Sequence, residues 1–477
     1  MSTSLLPRPV APVDLSAPRR LHVIGVGGPG MSAIAIALAE MGHRVSGSDI
    51  REQPSLDRVR AAGVDVAVGH SRTAVHGCDA VTWSTAIPER NIERDEAVRI
   101  GVPSLHRSAM LASICARAKS IGVAGTHGKT STSSMLMLVL HDHGMRPGFV
   151  IGGDVTDMGT GAQWTGGEWF VVESDESDGT HLALPLAGTI LTNVESDHLE
   201  HYGSLAGIID GFRRYLRQVD GPRVLCVDDP VCASLAIELR RDGIDVVTYG
   251  TDPSADVVIG AITPADGSMQ FSLAWADAGT EPIVVRLPLR GRHNVLNAAG
   301  AMAMAVAVGV PARDTARSLS RFGGVARRFD VRAVIDGITL VDDYAHLPSE
   351  IAAVLGAART SGDDWKRVVA VFQPNRYNRM EAMWRDYADA FVDADLVVLT
   401  DIYASGTTPI PGVTGKLVVN AVLDRHPAAH VVWLPRRHDL VEYLASSLRP
   451  GDVCISMGCG DIAALPDEVE RRRGSAR

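Results

Sequence analysis

Lysine is scarce: the 477 residues hold four, Lys119, Lys129, Lys366 and Lys416. Acidic side chains outnumber basic ones, 56 to 46, and a net charge of −10 offers no basic stripe to a nucleic-acid backbone. No run of about 18 apolar residues occurs, so no membrane-spanning helix is predicted. The six cysteines (Cys78, Cys115, Cys226, Cys232, Cys454, Cys459) never form C-x-x-C, and no histidine pair completes a zinc pattern around them. Buried thiols in a reducing cytoplasm follow, and a cytoplasmic location with them. Internal repeats and low-complexity blocks are also missing. The N-terminus, "MSTSLLPRPVAPVDLSAPRR", is proline-rich and lacks a long apolar stretch, so residues 1–19 read as a flexible tail rather than a secretory signal.

What is present is the composition of a soluble α/β protein, 46% hydrophobic and 21% charged. The chain is too long for one core. Strand patterns alternate with helical ones in three successive groups, which predicts three α/β domains with parallel sheets. Their expected spans are 20–115, 116–328 and 329–466, with a β-rich stretch at about 246–288 and a frayed end at 467–477.

Polar motifs cluster where strands run into helices. "GVGGPG" satisfies G-x-G-x-x-G with Gly25, Gly27 and Gly30, and Asp49 ends the next strand. Taken alone this points to NAD, but a UDP-sugar also carries a pyrophosphate, and a purely structural turn is the plain alternative. "VAGTHGKTST" resembles a phosphate loop with a fault: only Thr126 and His127 separate Gly125 from Gly128, where the standard loop has four residues. Its parts are otherwise present, with Lys129 expected to face solvent and the phosphates, and a hydroxyl at Thr130 for a metal ion. Glu173 in "VVESDESDG" and His198 in "NVESDHLEHY" follow strands whose ends could face that loop; a solvated histidine is the alternative for His198. Asn294 and Asn297 in "GRHNVLN" open a helix, where they read a purine edge or cap the helix. Arg327 and Arg328, then Asp342, Asp343 and His346, then Arg376 and Arg379 follow; the last two share a helical face if a helix starts there.

GTHGKT, ESDESD, N-x-x-x-DH-x-x-x-Y, G-x-HN-x-x-N, RRF, DDYAH-x-P-x-E and FQP-x-RY-x-R occur here in the order seen in the Mur ligases, and the chain resembles that family from about residue 20 to about residue 466. The resemblance implies a Rossmann-like UDP-binding domain, a central ATPase domain with a shortened phosphate loop, and a Rossmann-like C-terminal domain. It implies ATP-dependent amide formation between UDP-N-acetylmuramate and L-alanine through an acyl-phosphate, with two Mg²⁺ ions, in a monomer or homodimer that needs neither nucleic acid nor membrane. Gly25, Gly27, Gly28, Gly30, Met31, Ser32, Asp49, Ser84 and Thr85 would serve the UDP-sugar. Gly125, Thr126, His127, Gly128, Lys129, Thr130, Ser131, Asn294, Asn297, Arg328 and Asp343 would serve ATP. Thr130, Glu173 and His198 would hold metal; Lys129, Glu173, His198, Arg328 and Asp343 would carry catalysis; His346, Arg376 and Arg379 would face the amino acid. Two departures stand out, Leu347 and Asn375, where the family commonly has histidines. No lysine follows His198 in "LEHYGSLAGIIDGFRRYLRQV", so the carbamylated lysine of several Mur ligases has no counterpart here. The alternatives are a family member that joins a preformed murein peptide to the same nucleotide sugar, a catalytically dead binding subunit, and a dinucleotide-dependent oxidoreductase.

Overall fold

The structure, a computed structural model, describes residues 12–276 and 281–474. Most of the expected N-terminal tail (1–11) and the last three residues of the C-terminal end lie outside the described residues. Residues 12–19 depart from the expectation of a free tail: Leu15 is buried, and the Val13 N–H donates to Ser113 Oγ at 2.8 Å. Leu465–Gly474 is likewise a helix and not a frayed end, because Val469 packs into the core and Glu468 pairs with Arg437 at 2.8 Å.

Among the described residues the strands form three sheets. The first contains β1 (Arg20–Ile24), β2 (Arg44–Asp49), β3 (Asp65–Val68), β4 (Ala80–Trp83) and β5 (Ser104–His106), all parallel, in the order β3-β2-β1-β4-β5. The order reverses between β1 and β4, and the crevice outside that point is where such sheets take ligands. The second is built on β6 (Lys119–Ala124), β7 (Gly148–Val155), β8 (Thr160–Gln163), β9 (Trp169–Glu173), β10 (Gly188–Leu191), β11 (Arg223–Cys226) and β12 (Val247–Gly250). These seven of its ten strands run in the order β12-β11-β10-β6-β9-β7-β8, parallel except at the β8 edge, with a reversal between β6 and β10. The expected β-rich stretch comprises β12, β13 (Val257–Ala265), β14 (Ser268–Trp275) and β15 (Ile283–Leu287). The third sheet takes β16 (Asp330–Ile335), β17 (Ile338–Asp343), β18 (Arg367–Phe372), β19 (Leu396–Leu399), β20 (Val431–Trp433) and β21 (Asp452–Met457) in the order β16-β17-β21-β18-β19-β20, parallel except for β16. Helices cover the faces of these sheets, so strands such as β6, β18 and β21 are almost wholly apolar and buried.

The three α/β domains make two compact units. One comprises Met1–Ala261, Phe271–Val285 and Leu296–Gly323; the other comprises Ile262–Gln270, Arg286–Val295 and Gly324–Arg477. Two short pieces of the central segment therefore belong to the unit of the third sheet.

The first domain encloses a carboxylate. Glu93, with no exposed surface, accepts from Ser48 Oγ at 2.6 Å and from the Ser71 N–H at 3.0 Å, and His70 Nδ1 lies 2.9 Å away. Burial opposes its charge, but the contacts from His22, Ser48 and Ser71 outweigh burial and hold the carboxyl at about 2. A folded-state pKa below the ordinary 4.5 contributes stability that is complete above 4.5 and is lost as pH falls toward 2, worth about 3 kcal/mol. Glu93→Gln is therefore expected to unfold with a visibly shallower acid slope than the parent in urea titrations from pH 5 to pH 3. Parallel slopes would remove Glu93 from the account of acid stability.

Candidate active site

In the first domain the glycine loop follows β1 at the reversal point. Gly25 adopts φ +73° and its N–H donates to Ser48 O at 2.8 Å, while Gly28 caps the helix Pro29–Glu40. Asp49 Oδ2 accepts from the Gly27 N–H at 2.9 Å, so that carboxylate clamps the loop itself. Ser84 and Thr85 follow β4, the neighbour of β1, and Thr85 is exposed. Met31 and Ser32 point elsewhere: Met31 packs in the hydrophobic core, and Ser32 Oγ donates to Pro29 O at 2.9 Å.

The short loop after β6 is a tight turn into the helix Lys129–Asp142. Gly125 (φ +126°) has no space for a side chain, since a Cβ there would stand 2.2 Å from Thr192 Oγ1. The residues after β10 hold the loop from one side. The Thr126 N–H donates to Asn193 O at 3.0 Å, the His127 N–H to Asn193 Oδ1 at 2.8 Å, and Thr192 Oγ1 to His127 O at 2.6 Å. Glu173 stands on the other side, at the end of β9. Both flanking strands thus end beside the loop, as their sequence positions suggested. Thr130 and Ser131 are buried in the first turn of the helix.

Lys129 corrects one expectation. Its ammonium does not face solvent but donates to Gly125 O at 2.6 Å, Thr126 O at 3.1 Å and Glu176 Oε1 at 3.0 Å. Burial works against this cation, but Glu176, Asp175 and Glu173 more than offset it and raise its pKa. Burial in turn pushes Glu176 up despite Lys129 and His198 beside it. Glu173 Oε1 accepts from the Gly152 N–H at 2.6 Å. His198 is half-buried at φ +53°, with Nε2 3.3 Å from Asp197 Oδ2. Among the described residues no group of three metal-ligating side chains stands together.

Sequence reasoning passed over Arg107. Its guanidinium reaches Asp175 Oδ2 at 2.6 Å and Asp178 Oδ2 at 2.7 Å, and lies 3.4 Å from where a Cβ on Gly30 would be. It therefore joins the glycine loop of the first domain to the acidic motif of the second, and holds the Asp175 carboxyl far below the usual range against the pull of burial. The repeated acids of ESDESD were the available signal: Lys129 alone does not answer them, and Asp175 and Asp178 are also paired with this arginine.

In the other unit, Asp343 ends β17 and is buried, accepting from the Phe329 N–H and the Ala345 N–H, both at 2.7 Å. Burial raises its pKa, and Arg328 opposes the rise. Arg327 and Arg328 both lie over the Tyr344 ring, at 4.9 and 5.1 Å. Next to it Asp342, without exposed surface, is pushed up to about 6 by burial although Arg327 is 3.1 Å away. His346 Nδ1 lies 3.1 Å from Tyr344 O and 3.3 Å from Glu350 Oε2. Arg376 and Arg379 do not share a helical face: the helix is Tyr377–Met383, and Arg376 precedes it at φ +60°. Arg379 is buried, and its Nη1 donates to Asn375 Oδ1 at 3.3 Å. Cys459 is half-buried; burial raises its thiol pKa, and the charges of Arg379, Arg376 and Arg327 oppose the rise. Nearby, Tyr403, whose carbonyl accepts from the Arg376 N–H at 2.9 Å, lines a cavity of about 460 Å³ with Gln373, Asp401, Arg437 and Asp461. Asn294 Nδ2 donates to Arg290 O at 2.9 Å, and Asn297 is buried on the same helix, Arg292–Ala307.

Comparison with known proteins places this geometry. Residues 20–119 match the Mur ligase family catalytic domain, 123–305 the Mur ligase middle domain, and 327–460 the Mur ligase glutamate ligase domain. The UDP-N-acetylmuramate–L-alanine ligase of Desulforamulus reducens is 39% identical over 95% of this chain and 98% of its own length. That of Symbiobacterium thermophilum is 42% identical, over 93% and 92%. Among solved structures, the UDP-N-acetylmuramate–alanine ligase of Thermotoga maritima superposes with a TM-score of 0.81 at 27% identity, covering 96% of this chain and all of that one. A murein peptide ligase from Psychrobacter arcticus shares the fold, with a TM-score of 0.71 at 23% identity over 96% of this chain and 99% of that one.

The ion pair under the short loop has a measurable consequence. Lys129→Ala leaves the buried Glu176 carboxyl without its cation and is expected to destabilise the protein by about 1–3 kcal/mol in denaturant unfolding. Adding Glu176→Gln should recover part of that loss, since a neutral amide needs no counter-charge. A double variant as unstable as the sum of the two single ones would show that the two groups do not act as a pair.

Proposed function

The chain belongs to the Mur ligase family, and from that premise we propose that it joins L-alanine to UDP-N-acetylmuramate at the expense of ATP, in peptidoglycan precursor synthesis in the cytoplasm. The observation that carries the reading is near-full-length identity of 39–42% to UDP-N-acetylmuramate–L-alanine ligases, over 93–95% of this chain. The geometry agrees with it. A lysine, a hydroxyl and a carboxylate, Lys129, Thr130 and Glu173, meet at the reversal point of a parallel sheet, where a triphosphate would lie on the backbone N–H groups of a helix start. The glycine loop of the first domain is then a pyrophosphate cradle for the nucleotide sugar.

The reaction asks for attack of the muramate carboxylate on the γ-phosphate and then displacement of phosphate by the alanine amine. The obstacle to the first step is repulsion between two anions. Lys129, held protonated by its carboxylate neighbours, supplies a positive charge under the loop. Glu173, Thr130 and His198 suit two magnesium ions in part: an oxygen-rich site completed by phosphate and water is what that ion takes, and it would neutralise charge on the transferred group. Asn294 and Asn297 are assigned to the adenine side, and Arg328 and Asp343 to ATP as well. His346, Arg376 and Arg379 receive the amino acid. An oxidoreductase would leave the Lys129–Glu176 arrangement without a task.

Release of ADP in the presence of UDP-N-acetylmuramate tests the reading against a panel of amino acids and the murein tripeptide. Turnover should require L-alanine, and the tripeptide should not replace it; turnover with the tripeptide alone would assign the protein to peptide recycling instead. Arg379→Lys keeps the charge but loses the two-pronged contact with a carboxylate. It is expected to raise KM for alanine about ten- to a hundredfold while ATP and UDP-sugar constants stay put. A defect falling mainly on ATP would make Arg379 a phosphate ligand.

A further inference from the structure

Arg290 belongs to none of the motifs, yet it is among the most heavily engaged side chains of its unit. It lies just before the helix Arg292–Ala307. Its guanidinium forks onto Asp363, Nε to Oδ2 at 2.7 Å and Nη2 to Oδ1 at 3.2 Å. The same group lies 5.1 Å from the centroids of both Phe329 and Trp365, two rings stacked on each other at 6.1 Å and 24°. Gly267 (φ +69°) makes room for it, since a Cβ there would stand 2.6 Å from Nη2. The segment carrying Gly267 is docked in turn by its N–H on Ser361 O at 3.2 Å.

Both ends of this clamp reach residues assigned to ATP. On one side the Arg290 carbonyl accepts from Asn294 Nδ2. On the other, Phe329 follows Arg328 directly, adopts φ +47°, and donates its N–H to Asp343 Oδ2 at 2.7 Å. A positive φ at a bulky aromatic residue costs energy and persists only where surroundings hold it. The ring contact with Arg290 and Trp365 and the N–H contact with Asp343 are such restraints. Without the cation over its face, Phe329 is free to relax, and Arg328 and the Asp343 carboxylate move with it.

We propose that Arg290 is a positioning residue for ATP: through Asp363, Phe329 and Trp365 it holds Asn294 and the Arg328–Asp343 pair in one arrangement. This rests on the assignment of those three residues to ATP. The fork and the flat face are both needed, so lysine, a compact ammonium that pairs with Asp363 but cannot lie over two rings, is a poor substitute.

The test is calorimetric titration of the full chain with Mg-ATP and, separately, with UDP-N-acetylmuramate, for the parent protein, Arg290→Ala, Arg290→Lys and Trp365→Ala. Arg290→Ala is expected to weaken nucleotide binding about tenfold, with Arg290→Lys recovering less than half of the loss on a logarithmic scale. UDP-sugar binding should be unchanged in all of them, and a circular dichroism spectrum and cooperative unfolding like the parent's report that each variant folds. If Arg290→Ala fails to fold, Trp365→Ala carries the test, with a loss of about threefold. Unchanged nucleotide affinity in either variant, or equal losses for both ligands, would overturn the proposal. A parent protein that binds ATP but shows no alanine-dependent ADP release would count against the ligase assignment and leave the clamp standing.

Discussion

The Lys129 ammonium lies 2.6 Å from Gly125 O and 3.0 Å from Glu176, beneath a turn with two residues where a standard phosphate loop has four. A buried ammonium survives only if it is paired and hydrogen-bonded, and the central domain is arranged to meet that condition. The carbonyls of Gly125 and Thr126 turn inward to the cation, while the N–H groups of Thr126 and His127 are taken by Asn193. The glycines permit the turn: Gly125 and Gly128 both take positive φ, and neither position has space for a Cβ. Shortening the loop thus changes how it is supported. The residues after β10 carry it through Thr192 and Asn193.

The carboxylates that stabilise Lys129 must themselves be compensated. Asp175 and Asp178 are answered by Arg107, which comes from the first domain. The two domains therefore meet across a charge-assisted bridge and belong to one compact unit. Arg107 also stands beside Gly30, so one side chain borders both the glycine loop and the acidic motif.

Strand–helix junctions were legible in the sequence because they rest on local rules. Glycine spacing, apolar strands and hydroxyls at helix starts placed the loops at Gly25–Gly30 and Gly125–Thr130, and the acidic strand end at Glu173. What could not be read was partnership between distant segments. Lys129 was expected to face solvent because nothing local to the loop shows Glu176 folding back over it. Met31 and Ser32 look like part of the loop by proximity, but the helix packs Met31 into the core and turns Ser32 Oγ back onto Pro29 O. Arg376 and Arg379 have helical spacing, and the helix begins one residue too late to use it. Arg107 and Arg290 lie outside every motif, since their meaning comes from carboxylates 68 and 73 residues away.

The two departures from the family pattern can be followed to their contacts. At Leu347 the backbone has a task that any residue but proline performs: its N–H and that of His346 both donate to Glu350 Oε2, at 3.0 and 2.8 Å, and so start the helix Pro348–Thr360. The leucine side chain is buried, so an apolar residue gains there what a histidine would have to recover by hydrogen bonding. At Asn375 the side chain matters. The buried amide oxygen accepts from Arg379 Nη1, and an amide cannot change its charge over the working pH range. A histidine at the same point could protonate and repel the guanidinium. The substitution therefore leaves Arg379 Nη1 on a neutral acceptor whose charge does not vary with pH.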